Sequence, residues 1–248
     1  MSGHSKWHNI KMRKGAQDAK RGQIFTKISR EIMVAVKENG PSPDTNLKLK
    51  MALQKARDNS MPNDTVQNAV KKASGAMDGA HFEEIVYEGY APGGIAVLAQ
   101  CLTDNKNRTV SEVRVSFTKH GGNLANAGAV SYLFDRKGQL FFSKETADED
   151  KVMEIALEAG AEDVKVDEDS IEVITDPSDY NTVREAFETA GIAFENAEVT
   201  MIPQTTVLIT NVKDAAKIMR IIDQLEECDD VQKVYANYEI DESIEDQI

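Results

Sequence analysis

Gln139-Leu-Phe-Phe-Ser143 opens, and Ala197-Glu-Val-Thr-Met-Ile202 closes, the stretch of sequence that decides the fold. Short runs of this kind, rich in branched and aromatic residues, are the composition of strands. Between them, Val152, Ile155, Ala156 and Ala159 line one face of a helix over 148–159. Strands at 164–166 and 171–175 then flank the polar turn Asp167-Glu-Asp-Ser170, and a second helix covers 178–190. The order is βαββαβ, the split unit of ferredoxin-like folds. Both helices end in Ala-Gly, at Ala159-Gly160 and Ala190-Gly191, which gives the stretch an internal half-repeat.

Working outward, the flanks hold a second set of the same kind. Upstream, strands at 84–90 and 95–102 surround an Ala91-Pro-Gly-Gly94 turn. A helix at 105–119 has Val110, Val113 and Phe117 inward and stops at Gly121-Gly122, and a strand follows at 129–135. Downstream of Pro203 come a strand at 206–210, a helix at 213–227 with Ile218, Ile221, Ile222 and Leu225 inward, and a strand at 232–240. Joined across the inner stretch, these complete another βαββαβ set with one extra strand.

Residues 1–75 have a helical period only. Ile24, Phe25, Ile28, Ile32 and Val36 define the apolar face of a helix over 17–38, and Asn39-Gly40-Pro41 ends it. A helix over 46–59 turns Leu49, Leu53 and Ala56 inward. After the Ser60-Met61-Pro62-Asn63 break, Val66, Ala69, Val70 and Ala73 mark a third, with Asn63 as the expected cap. The Gly-, Ala- and Ser-rich segment 74–81 reads as a linker. The chain is therefore expected to be α+β and multidomain, a three-helix domain followed by two ferredoxin-like domains, the last inserted into the middle one. The expected bounds are 1–78 for a basic helical domain, 79–136 plus 204–248 for the middle domain, and 137–203 for the insertion.

Charge follows the same division. Residues 1–75 hold 15 Lys+Arg and 6 Asp+Glu, a net of +9, whereas residues 76–248 hold 14 and 36, a net of −22. A cationic module on an anionic body points to a polyanionic partner for the first part alone. With 41% hydrophobic and 29% charged residues, the chain has the composition of a globular protein and not of a disordered one. Its longest clean apolar run, Ile95-Ala-Val-Leu-Ala99, is far short of a membrane span. No apolar stretch follows Met1-Ser-Gly-His-Ser-Lys-Trp7, so no secretory signal is read there, and two cysteines support neither a disulfide framework nor a thiolate metal site. A cytoplasmic location, without a membrane partner, is the expectation.

The candidate contact residues for nucleic acid are Lys6, Trp7, Lys11, Arg13, Lys14, Lys20, Arg21, Lys27 and Arg30. Lysine and arginine gain affinity by releasing the counterions condensed on phosphates. Trp7 either stacks on an exposed base or anchors the arm to the helices. Asn63, Gln67, Asn68, Lys71 and Lys72 share the last helix of the unit, which reads either as the second helix of a helix-turn-helix or as the solvated face of a plain bundle. The polar loop 103–109 adds Lys106 and Arg108 at the start of a helix, where a phosphate would be favoured, unless Asp104 or Asn105 only caps that helix. Gly121-Gly-Asn-Leu-Ala-Asn-Ala-Gly128 lacks the Gly-Lys-Ser/Thr of a nucleotide-binding loop and reads as a helix stop and turn. His4 and His8 have a metal-compatible spacing but no third ligand nearby, and neither His81 nor His120 sits in a nucleophile–base pattern. The acidic pairs at 148–150, 162–163, 167–169 and 229–230 read as solvated faces and turns. No metal, cofactor or small-molecule substrate is expected.

Several motifs are specific in combination: Gly3-His-Ser-Lys-Trp7, Gln17-Asp-Ala-Lys-Arg-Gly22 with Ile24-Phe-Thr-Lys27, Tyr87-Glu-Gly-Tyr90 with Pro92-Gly-Gly94, Asp104-Asn105 through Asn107-Arg-Thr109, and Gly121-Gly-Asn-Leu124. Together they resemble the YebC/PmpR family across essentially the whole chain. That family includes probable transcriptional regulators, the mitochondrial translational activator of cytochrome c oxidase and bacterial relatives that act at the ribosome. The resemblance implies one helical and two α+β domains, nucleic-acid binding in the cytoplasm and no established catalytic activity. Met12 departs from the pattern at a position where a basic or imidazole side chain is expected, while Lys11, Arg13 and Lys14 are intact. The resulting expectation is a non-enzymatic regulator that binds DNA through its basic helical domain. The alternative is a ribosome-associated translation factor on ribosomal RNA, its acidic lobes facing the ribosome's basic proteins. An enzyme acting on nucleic acid would need a metal-binding carboxylate cluster or a cofactor loop, and neither is read here. Under a pure protein-interaction module, changing Lys20, Lys27 and Arg30 together to Glu would leave nucleic-acid association unaltered.

Overall fold

The computed structural model describes residues 21–75, 82–245 and 247–248. In chain order the described residues form α1 (Arg21–Asn39), α2 (Leu47–Asp58), α3 (Asn63–Ser74), β1 (Glu83–Ala91), β2 (Ile95–Thr103), α4 (Lys106–Thr118), β3 (Asn123–Leu124) and β4 (Phe134–Ser143). There follow α5 (Glu149–Glu158), β5 (Asp163–Val166), β6 (Ser170–Thr175), α6 (Tyr180–Ala190), β7 (Asn196–Pro203), β8 (Val207–Ile209), α7 (Val212–Glu227), β9 (Val231–Ala236), β10 (Tyr238–Ile240) and α8 (Glu242–Glu245). An N-terminal helical region thus precedes mixed α+β structure. The chain divides into two compact units, one containing residues 21–75, 82–129 and 216–234, the other 130–215 and 235–248.

In the first unit, the apolar periods of the three helices meet in one core. Ile28, Ile32 and Val36 from α1 pack with Leu49, Ala52 and Ala56 from α2 and Val66 and Ala69 from α3. Asn46 fixes the corner before α2 because its side chain works in both directions. Its Oδ1 accepts from Leu49 N at 3.0 Å, and its Nδ2 donates to the carbonyls of Ala35 and Gly40 at 2.7 and 2.8 Å. A cap of this kind satisfies backbone groups that the helix ends leave unpaired. Asn63 is not the cap of α3: it is already the first helical residue, and the capping position falls to Pro62, which has no side-chain bond to give.

The sheet of this unit has the order β3-β1-β2-β9. β1 and β2 form a complete antiparallel hairpin from Glu83↔Thr103 to Ala91↔Ile95, closed by a 3-10 turn at Pro92–Gly94. Gly89 lets α4 approach, since a Cβ there would lie 2.6 Å from Phe117 Cζ. The glycine-rich stretch after α4 stops the helix and also supplies β3, which pairs with Gly89 and Tyr90.

In the second unit the sheet order is β5-β6-β4-β7, with every neighbouring pair antiparallel. This is the strand order of a ferredoxin-like unit, with α5 and α6 completing it. Leu140, Phe142, Ile171 and Val173 from the sheet pack with Val152, Ala156, Val183 and Phe187 from the two helices. The strands expected at 129–135 and 139–143 are one strand. β4 begins at Phe134 and runs to Ser143, preceded by a 3-10 turn at Ser131–Leu133. Gly138 lies inside β4, where a Cβ would overlap Thr175 Oγ1 and sit 2.8 Å from Tyr180 Cβ. Packing, not turning, requires the glycine.

The strand expected at 232–240 is two strands, split at the buried Asn237. β9 joins β2, whereas β10 pairs in parallel with β8.

Candidate functional site

Six of the basic and aromatic candidates, Lys6, Trp7, Lys11, Arg13, Lys14 and Lys20, lie outside the described residues. Arg21 opens α1. The remaining four, Lys27, Arg30, Lys106 and Arg108, all have partners within the first unit.

Gln23, Lys27 and Arg30 recur at i, i+4 and i+7 and so share a face of α1. That face meets the end of α7. Gln23 Nε2 donates to Glu227 O at 3.3 Å and Lys27 Nζ to Glu226 O at 2.7 Å. Arg30 Nη1 donates to Asp229 O and, at 2.8 Å, to Asp230 Oδ1. The last carbonyls of a helix lack intrahelical partners and carry the negative end of its dipole, so Gln23 and Lys27 cap α7 in trans, while Arg30 holds the turn just beyond it. Burial pulls the Lys27 ammonium below its ordinary pKa, and the charges of Glu226 and Asp229 oppose that shift.

Asp230 is the centre of this arrangement. Its side chain is only 2% exposed. Arg108 holds it with two donors, Nε at 3.1 Å and Nη2 at 2.7 Å, while Thr109 Oγ1 donates at 2.8 Å and Thr103 Oγ1 at 3.2 Å. Burial drives the Asp230 carboxyl upward, but the bonds from Arg108 and Thr109 and the two guanidinium charges outweigh it and hold the pKa below its ordinary value. Arg108 is shifted upward, mainly by its bonds to Asp230 and Asp104. The Asp229–Asp230 pair, read from sequence as part of a solvated turn, is thus split: Asp229 is exposed, and Asp230 is a buried anchor.

The loop 103–109 is organised by the same group. Asn105 caps α4, its side chain accepting from Arg108 N at 3.1 Å. Thr103, Arg108 and Thr109 converge on the Asp230 carboxylate, so an internal anion occupies the polar side of the loop. Lys106 Nζ pairs with Glu83 Oε2 at 2.5 Å, and its side chain remains 57% exposed.

Other cations of the helical segment differ in their engagement. Lys55 pairs with Glu31 at 2.6 Å and Lys48 with Glu38 at 2.8 Å. On α3, by contrast, Asn63, Gln67, Asn68, Lys71 and Lys72 are all exposed, and none of their side chains bonds to another described residue.

Sequence reasoning missed Asp230 and Gln23. Asp230 lies 200 residues from Arg30 and 122 from Arg108, so no local pattern connects them. Among the described residues, no group of three His, Cys, Asp or Glu is placed to hold a metal, and no helix is long and apolar enough to cross a membrane. Burial pushes the Cys101 thiol up to about 12, which leaves it protonated and a poor nucleophile.

Residues 5–76 match the TACO1/YebC protein N-terminal domain, and residues 82–238 match the TACO1/YebC second and third domain. The chain is similar to a probable transcriptional regulatory protein of Desulforapulum autotrophicum, 51% identical over 99% of each chain. It is also similar to one of Clostridium tetani, 52% identical over 99% of this chain and 100% of that one. Among solved structures, a conserved hypothetical protein from Aquifex aeolicus is 46% identical with a TM-score of 0.82, covering 92% of this chain and 94% of that one.

Proposed function

The chain belongs to the TACO1/YebC family, and from that premise we propose that it is a non-enzymatic regulator that binds nucleic acid, DNA in the first instance, through its basic amino-terminal third. The observation that carries the reading is electrostatic. A net of +9 in residues 1–75 stands against −22 in the remainder, so phosphates are attracted to one part of the chain and repelled by the other. The names of its relatives, probable transcriptional regulatory proteins, support a regulatory role.

The contact set in this reading is led by the arm and the start of α1: Lys6, Lys11, Arg13, Lys14, Lys20 and Arg21, with Trp7 beside them. Lys106 and Arg108 retain exposed area and add to the potential near them, while Lys27 and Arg30 act by holding α1 on α7. The test is binding of the full chain to a mixed-sequence DNA duplex, and in parallel to an unpaired RNA strand, across a salt series. A protein that neutralises about six phosphates loses roughly a thousandfold in affinity between about 50 and 200 mM salt. A loss of that order supports the reading. Salt-independent retention, or no retention at low salt, contradicts it. Incubation of labelled strands with Mg²⁺ checks the non-enzymatic part, which expects no turnover.

A further inference from the structure

We infer that the exposed face of α3 is the part of the helical segment that lies along the polynucleotide. The inference rests on the nucleic-acid reading above and assigns that reading to particular side chains. Asn63, Gln67 and Lys71 stand at i, i+4 and i+8, and Asn68 and Lys72 form a second row beside them. All five are exposed. The opposite side of the helix, through Val66 and Ala69, is buried in the three-helix core, which fixes the orientation of the polar rows.

What separates this face from the other cationic surfaces of the helical segment is a pair of adjacent, unengaged lysines; Lys50 on α2 is also exposed and bonded to no other described residue, but it stands alone. The cations of α1 at 27 and 30 are bonded to the end of α7 and to Asp230, and Lys48 and Lys55 are paired with carboxylates. Lys71 and Lys72 bond to no other described residue, so they meet a phosphate without first giving up a partner among those residues. A cation that must leave a carboxylate before it reaches a phosphate recovers little free energy from the exchange. The single acid of the helix, Asp64, lies in its first turn, at the opposite end from the two lysines.

The two ends of the face offer different chemistry. Lysine is a point charge suited to phosphate oxygens. The amides of Asn63, Gln67 and Asn68 each carry donors and an acceptor, and so can meet base or sugar edges. The surface therefore fits a phosphodiester strand approached along α3, with lysines on the backbone and amides directed at the nucleotides. The occupant is duplex DNA, as in the reading above, and preference for a single-stranded RNA is an outcome that would overturn that choice.

The test compares the full-length wild type with Lys71→Ala/Lys72→Ala, using fluorescence anisotropy of a labelled mixed-sequence DNA duplex and of a labelled single-stranded RNA. Both positions are exposed and alanine favours the helix, so the fold is expected to persist, with an unchanged thermal midpoint as the check. Loss of two phosphate contacts flattens the log–log salt dependence by about 1.8 on the duplex or about 1.4 on the single strand. It weakens duplex binding about 60-fold at about 0.1 M salt, taking about 1 M as the point where the counterion contribution vanishes. Flattening on the duplex supports the assignment, and flattening on the single strand alone overturns the choice of DNA. Asn63→Ala/Gln67→Ala/Asn68→Ala is expected to weaken binding with no change of slope. If the wild type binds steeply and the double lysine variant keeps both affinity and slope, the assignment to α3 is overturned while the nucleic-acid reading stands. If the wild type binds neither probe at low salt, the reading fails and the assignment fails with it.

Discussion

Helices α1 and α3 belong to one bundle and carry similar residues, yet the structure uses their polar faces in opposite ways. On α1, Gln23, Lys27 and Arg30 turn inward onto the end of α7 and the Asp230 carboxylate. On α3, Lys71 and Lys72 turn outward. Periodicity alone makes the two faces look equivalent, because it reports which residues share a side and not what that side meets. The cations of the bundle therefore fall into two sets: one fastens α1 to the end of α7 and to Asp230, and the other is exposed and bonded to no other described residue.

The most damaging single change to the internal set is expected at Asp230. Asp230→Ala leaves two guanidinium groups and two threonine hydroxyls without their shared acceptor. Breaking a buried pair costs about 3–5 kcal/mol, and the partial exposure of Arg108 lowers the expectation to about 2–3 kcal/mol. Denaturant unfolding measures it directly. A change below about 0.5 kcal/mol would show that the α1–α7 junction does not depend on this carboxylate.

Acid offers a second way to probe the same group. Asp230 titrates below its ordinary value in the fold, so its contribution to stability is complete above the unfolded carboxylate pKa, near 4. That contribution is lost as pH falls through the lower folded value. Stability of the wild type should therefore drop more steeply below about pH 4 than that of Asp230→Asn, which has no proton to take up. Parallel acid limbs for the two proteins would remove Asp230 from the account.

At the small end stands the external set. Lys71→Ala/Lys72→Ala should change unfolding free energy by less than about 0.5 kcal/mol, since surface changes remote from packing rarely do more. Its effect is reserved for binding. A large loss of stability would mean that α3 has internal ties and is no free face.

Much of this architecture is legible from residues alone. Ile28, Ile32 and Val36 reveal α1, and Val152 with Ala156 reveals α5, because each apolar stripe coincides with the face that is buried. The ferredoxin-like strand order follows from the βαββαβ alternation. Two features escape for physical reasons. The expected strands at 129–135 and 139–143 leave a gap where β4 runs through, and Gly138 within it is needed because Thr175 and Tyr180 leave no room for a side chain. Asp230 reads as half of an acidic turn, but its environment is built by residues brought from α1 and α4. Nothing next to it in sequence records that burial. The candidate site was accordingly legible as a charge excess and not as a set of engaged and unengaged cations.

On the proposed reading, phosphates meet the basic third of the chain and avoid the acidic remainder. Ultraviolet crosslinking of the full chain to a labelled strand, followed by peptide mapping, examines it most directly. The account predicts crosslinked peptides from residues 1–75, including α3, and none from the ferredoxin-like stretch 138–203, with its 18 Asp+Glu against 4 Lys+Arg. Crosslinks concentrated in 138–203 would contradict it.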